Sequence, residues 1–132
     1  MTASSAPRSV LDASALLAFM QKESGWESLR KVIGRAAMSA VNWSEVVGKA
    51  IERKAPLEGL REDVESAGIQ ILPFTTEEAE IAAGMRTATQ SLGLSLGDRA
   101  ALALARRLNL PVYTTDRTWG RLSVGVRVRV VR

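Results

Sequence analysis

This 132-residue sequence predicts an α/β fold: a mostly parallel sheet with helices on both faces. Three observations carry that prediction. Short apolar runs of strand length alternate with longer segments whose apolar residues recur at helical spacing. The first run, Val10-Leu11, is apolar on both sides, as in a strand sunk in a core. Capping residues stand where runs pass into helices: Ser14, Asn42 and Thr75.

The elements follow in order. Met1 to Pro7 is small and polar, without the charged-then-apolar order of a signal peptide, and is expected to be a frayed tail. Val10-Leu11 is a strand, and Ser14 is placed to cap a helix running through Leu17 and Phe19. Gly25-Trp26 marks a turn, and Trp26, Leu29, Val32 and Ile33 define a second helix up to Gly34. Ala36 to Val41 suits an inner strand. Asn42 with Glu45 three residues on resembles a capping box for a helix that buries Val46, Val47, Ala50 and Ile51. Ala55-Pro56 breaks it. Leu57 to Ala67 is a helix with Leu57, Leu60 and Val64 inward, stopped by Gly68. Ile69 to Phe74 is a strand, and Thr75 to Glu78 caps a helix that continues to about Leu92. The loop Gly93 to Asp98 enters a buried Ala- and Leu-rich helix that ends at Asn109-Leu110-Pro111. Val112-Tyr113-Thr114 is a strand, and Thr115-Asp116 follows its end. Trp119 and Leu122 mark a helical turn, and Val124 to Val130 alternates as an edge strand does. No linker or internal repeat divides the chain, which is expected to form a single domain over 1–132.

Composition narrows the chemistry. No apolar run is long enough to span a bilayer. There is no cysteine, so neither disulfides nor thiolate metal sites are available, and a reducing cytoplasm is the expected location. There is no histidine either. That removes Ser-His-Asp triads, histidine acid–base ribonuclease chemistry and imidazole-bound zinc. No phosphate-binding G-x-x-x-x-G-K or G-x-G-x-x-G loop is present. Carboxylates, hydroxyls, Lys/Arg or a hard metal must then do any chemistry. The net charge is +4, and it is uneven. From Ile81 onward stand arginines 86, 99, 106, 107, 117, 121, 127, 129 and 132 against only Asp98 and Asp116. A basic half suits a polyanion such as nucleic acid, and equally a solvated surface or an acidic partner.

Four acids share one kind of position. Asp12 and Asp116 each follow a short apolar strand, and Glu45 and Asp98 each fall in a helix's first turn. In a parallel sheet with right-handed crossovers those positions lie on one edge, where ligands bind. Each has an ordinary alternative: Asp98 completing a box with Ser95, Glu45 with Asn42, Asp116 as a turn residue. Asp12 is the hardest to explain so, because an unpaired carboxylate among apolar flanks costs several kcal/mol. The other ten acids fit helix-surface patterns. Carboxylates clustered without His or Cys make a hard-cation site for Mg²⁺ or Mn²⁺. Ser14, Asn42, Thr114 and Thr115 are placed to hydrogen-bond such ligands. Arg99 is placed to pair with an acid or hold a phosphate, and Arg117 stands beside Asp116.

Four segments together resemble the successive signatures of PIN-domain ribonucleases. They are Val10-Leu11-Asp12-Ala13-Ser14-Ala15, Ser39 to Val46 around Asn42 and Glu45, Leu96 to Ala105 around Asp98, and Val112 to Arg117 around Asp116. The likeness covers essentially the whole chain and is closest to VapC-type toxins. It implies a three-layer α/β/α fold with a mostly parallel five-stranded sheet, and a Mg²⁺- or Mn²⁺-dependent endoribonuclease. It also implies a VapB-type antitoxin partner, usually a homodimer, catalytic and metal roles for Asp12, Glu45, Asp98 and Asp116, and a polar role for Thr114. Trp119 replaces the family's frequent Phe three residues after the last acid, and keeps an apolar anchor there. The competing reading is a catalytically silent PIN-like module that binds RNA or protein. A receiver-type phosphoacceptor would need a lysine facing the acids, and Lys22, Lys31, Lys49 and Lys54 all fall in the first half, at helix-surface or helix-end places.

Overall fold

The computed structural model describes residues 6–131. Five strands, β1 (Ser9–Leu11), β2 (Ala36–Ser39), β3 (Ile69–Leu72), β4 (Val112–Thr114) and β5 (Val128–Val130), form one sheet in the order β3-β2-β1-β4-β5. Every pairing is parallel. Seven helices connect them: α1 (Ala13–Met20), α2 (Trp26–Ile33), α3 (Ala40–Glu52), α4 (Leu60–Ser66), α5 (Thr76–Gly84), α6 (Arg86–Gln90) and α7 (Leu96–Leu108). A 3-10 turn, Arg117–Arg121, follows β4.

Successive strand residues point to opposite faces, so a sheet buried on both sides needs apolar residues at every position. The strands meet that demand. Val10, Ala37 and Val112 enter one core with Met85, Ala101, Leu102, Leu104, Ala105 and Trp119. Their neighbours Leu11, Ala36 and Met38 enter the other with Ala15, Leu16, Leu29, Ile33, Val46 and Val64. The result is the three-layer α/β/α sandwich that the alternation predicts.

The chain's path fixes where a site can form. It moves from β1 outward to β2 and β3, then returns through α5, α6 and α7 to place β4 on the other side of β1. The order therefore reverses between β1 and β4. In open parallel sheets, that switch point is where a crevice opens beyond the strands' carboxyl ends.

Several expectations are corrected. Asp12, not Ser14, caps α1, because α1 starts at Ala13 and the Asp12 carboxylate at the strand end reaches the Ala15 N–H. Ser39, not Asn42, caps α3, which begins three residues earlier than expected and shortens β2. Leu57 and Ile51 are exposed rather than inward, since α3 ends at Glu52 and α4 starts only at Leu60. The helix expected to reach Leu92 breaks at Met85 into α5 and α6. The last strand is confined to Val128–Val130. Of the expected tail, Met1 to Ser5 lies outside the described residues, while the Ala6 carbonyl accepts a hydrogen bond from Arg35 Nε. Gly68 stops the chain after α4 as expected. Its φ of +116° and close approach to the Gly34 backbone leave no room for a Cβ.

Candidate active site

Asp12 leaves β1 and is only 4% exposed. Its Oδ1 accepts from the Ala15 N–H at 2.8 Å and from Ser14 Oγ at 2.7 Å. Its Oδ2 accepts from Thr114 Oγ1 at 2.6 Å. All these donors are neutral. Burial raises the Asp12 pKa from 3.8 to about 6. The three hydrogen bonds pull it down part of the way, and the Asp98 charge adds a smaller push upward, so these two carboxylates feel one another.

Thr114 ties the switch point together. Fully buried at the end of β4, it gives its hydroxyl hydrogen to Asp12 and accepts from the Asp116 N–H at 3.1 Å. Ser14 Oγ accepts from the Thr115 N–H at 3.0 Å, so Thr115 joins through its backbone. The β1 and β4 ends are thus laced by four polar groups, with both hydroxyl hydrogens aimed at Asp12. Asp116 is exposed just beyond. Its Oδ1 accepts from the Thr118 N–H and hydroxyl at 2.9 and 2.7 Å and caps the 3-10 turn, as its turn reading foresaw.

Helix α7 leads into β4, so its N-terminus stands at the same edge as the strand ends. Asp98 sits there in a reciprocal capping box. Its Oδ2 accepts from the Ser95 N–H at 2.9 Å, and its own N–H donates to Ser95 Oγ. Beside it the Glu45 carboxylate lies over Gly97, where a Cβ would overlap Glu45 Oε2. Asn42 fixes that stack: its buried Nδ2 donates to Glu45 Oε1 and to the Gly97 carbonyl, both at 3.0 Å. Asn42 Oδ1 finds no protein partner, a cost of about 1–3 kcal/mol that the two bonds do not recover by themselves.

The elements that carry the four acids thus end along one edge: Asp12 and the Asp116 backbone are linked through Thr114, the Asp98 charge is felt at Asp12, and Glu45 lies over Gly97, next to Asp98 in the chain. The expected pairing of Arg99 with an acid does not form. Its Nη1 donates instead to the Ala82 carbonyl at 3.1 Å, because Asp98 is turned into its capping box. Arg117 is exposed in the turn after Asp116.

Two residues escaped the sequence reading. Gly97 was passed over, although a glycine in a helix's first turn costs up to about 1 kcal/mol against alanine and so asks for a reason. Glu78 was counted among surface acids but is fully buried, with Oε2 at 2.8 Å from Arg107 Nε. The spacing of Glu78, Ala82, Met85 and Thr89, all buried, would have placed it inward.

Among the described residues no three acids already stand arranged to grip an ion, since Asp12, Asp98 and Asp116 spend oxygens on caps. The donor set nevertheless fits a hard divalent cation. It is all oxygen; Asp98 Oδ1 and Asp116 Oδ2 have no protein partner; and buried Asp12 has only neutral ones.

An acid-lined switch point on a parallel three-layer sheet defines the class of protein. The sequence matches the PIN domain family model over residues 9–124, and the chain belongs to that family. No curated protein matches it. Solved structures share the fold across nearly their whole length. A toxin–antitoxin complex from Klebsiella pneumoniae superposes with a TM-score of 0.72 at 19% identity, covering 94% of this chain and 98% of that one. DNA-bound VapBC from Salmonella typhimurium gives 0.72 at 20%, covering 96% and 99%. VapC20 from Mycobacterium tuberculosis, a sarcin–ricin loop cleaving toxin, gives 0.64 at 13%, covering 90% and 98%. No described helix is long and apolar enough to cross a membrane.

Proposed function

We propose that this chain is a Mg²⁺- or Mn²⁺-dependent endoribonuclease, acting as the toxin of a VapC-type toxin–antitoxin pair. The observation that carries the reading is Asp12: a buried carboxylate at the switch point, met only by neutral donors, with Asp98 close enough to raise its pKa further. A bound ion there would compensate the charge, acidify a water and offset charge on the phosphoryl transition state.

The chain's own residues have distinct roles in this reading. Asp12, Asp98, Asp116 and Glu45 would hold the ion. Thr114 and Ser14 aim the Asp12 carboxylate, the Thr115 N–H anchors Ser14, and Asn42 with Gly97 sets the Glu45 carboxylate beside Asp98. Arg99 and Arg117 flank the acids and hold the RNA backbone. The likeness to toxin–antitoxin complexes supports a VapB-type antitoxin as the partner, and a homodimer is what the family resemblance implies.

Asp98→Asn is the test. Asn still accepts from the Ser95 N–H and Ser95 still caps α7, so the variant folds with the circular dichroism and melting temperature of wild type. It loses Mn²⁺-stimulated cleavage of total RNA at least a hundredfold. Full cleavage by Asp98→Asn removes Asp98 from the site. Absence of Mn²⁺ binding to the wild type by calorimetry replaces this reading with a silent binding module.

A further inference from the structure

A second polar cavity adjoins the acids. It holds about 340 Å³ between α6 and the first turn of α7, and Arg86, Gln90, Ser95 and Arg99 line it. Ser95 is the residue whose N–H binds Asp98, so the cavity begins where the acidic edge ends.

Its charge is unbalanced. Arg99 is half-buried and anchored by the Ala82 carbonyl, which fixes its aim without neutralising it. Arg86 makes no side-chain hydrogen bond or ion pair among the described residues. Ion pairs such as Lys49–Glu52, Arg61–Glu65 and Arg107–Glu78 lie elsewhere. Arg86 and Arg99 both line the cavity with no carboxylate paired to either, so like charges share one wall and a bound anion lowers that cost. Ser95 Oγ accepts the Asp98 N–H and keeps its own hydrogen to donate. The planar fork of arginine matches phosphate oxygens.

We propose that this cavity seats a backbone phosphate of the RNA strand next to the one cleaved, with Arg86 and Arg99 as its clamp. The assignment rests on the ribonuclease reading and deepens it. A lone carboxylate ligand would occupy only the clamp. A nucleic-acid strand instead presents repeated phosphates, one for the clamp and one for the ion site.

Fluorescence anisotropy of the full chain with a labelled 12-nucleotide oligouridine, in Ca²⁺ from 50 to 200 mM KCl, tests it. Arg86→Ala, an exposed change, weakens binding three- to tenfold and lowers the slope of log affinity against log salt by about 0.7, one phosphate contact. Arg99→Ala does the same, Arg86→Lys keeps the slope, and Arg61→Ala on α4 changes neither quantity. Wild-type affinity and slope in both alanine variants overturn the clamp, as does an equal loss in Arg61→Ala. Loss of affinity for an oligoglutamate peptide but not for oligouridine assigns the cavity to an acidic protein segment and overturns it too. A wild type that binds no oligouridine also overturns it, and Mn²⁺-stimulated cleavage of total RNA by the same protein then shows whether the ribonuclease reading survives.

Discussion

Among the described residues two carboxylates are buried, and they are handled in opposite ways. Glu78 on α5 meets Arg107 of α7 at 2.8 Å and takes the Thr75 hydroxyl as well. Its countercharge is built into the chain, and it joins two helices of one layer. Asp12, 4% exposed, meets only hydroxyls and an N–H, and its pKa climbs to about 6. The first acid is a structural fastening. The second is held charged at a cost, at the one place where the topology opens a crevice. Burial alone therefore does not single out Asp12; burial without a built-in cation does.

Removing a partner breaks the comparison most sharply. Arg107→Ala leaves Glu78 buried and alone, and is expected to cost about 3–4 kcal/mol in urea unfolding. The lower part of the usual range applies because the Arg107 side chain is 29% exposed. RNA-cleaving activity per folded molecule stays unchanged. Glu78→Gln in the Arg107→Ala background recovers part of the loss.

Asp12→Asn goes the other way. The folded pKa of Asp12 lies above its unfolded value, so between pH 4 and 6 the native state binds more protons than the unfolded state. Metal-free stability therefore falls as pH rises through that window and is lowest above pH 6. The shift from 3.8 to about 6 corresponds to about 3 kcal/mol at most. Asp12→Asn should be more stable than metal-free wild type by about 2–3 kcal/mol at pH 7 and no more stable at pH 4, with activity lost at both. Equal stability at pH 7 would mean that Asp12 carries no burial penalty.

The smallest effect lies in the supports. Gly97→Ala adds a Cβ against the Glu45 carboxylate, while alanine improves the helix by up to about 1 kcal/mol. Mn²⁺ affinity should drop about tenfold to a hundredfold with little change in melting temperature. Asn42→Ala should lower affinity similarly, and the two changes should not add, because both act through Glu45.

Much of this was legible in the sequence. The unbroken apolar character of Val10-Leu11 and Ala36 to Met38 announced a sheet covered on both faces, and Asp12 stood out because its flanks are apolar. The positions of Asp98 and Asp116 were legible as caps, and the same backbone ends that need caps face the site. The caps of α1 and α3 were misread for that reason. Polar residues cluster at these junctions, and which one caps depends on where the strand pairing stops. Pairing of Ala36–Ser39 with Ile69–Leu72 stops β2 at Ser39, a constraint set by residues thirty-three positions further along the chain and absent from local periodicity. The roles of Asn42 and Gly97 were illegible because they depend on α3 meeting α7, fifty-five residues apart. Glu78 was legible by helical spacing and was missed because its capping role explained it too easily.

The central claim is that Asp12, Glu45, Asp98 and Asp116 form one ion site. Calorimetric titration of Mn²⁺ into wild type and into Asp12→Asn, Glu45→Gln, Asp98→Asn and Asp116→Asn tests it most directly. The account predicts binding by wild type and at least tenfold weaker binding by every variant. Wild-type affinity in all four variants, or no binding at all, would contradict it.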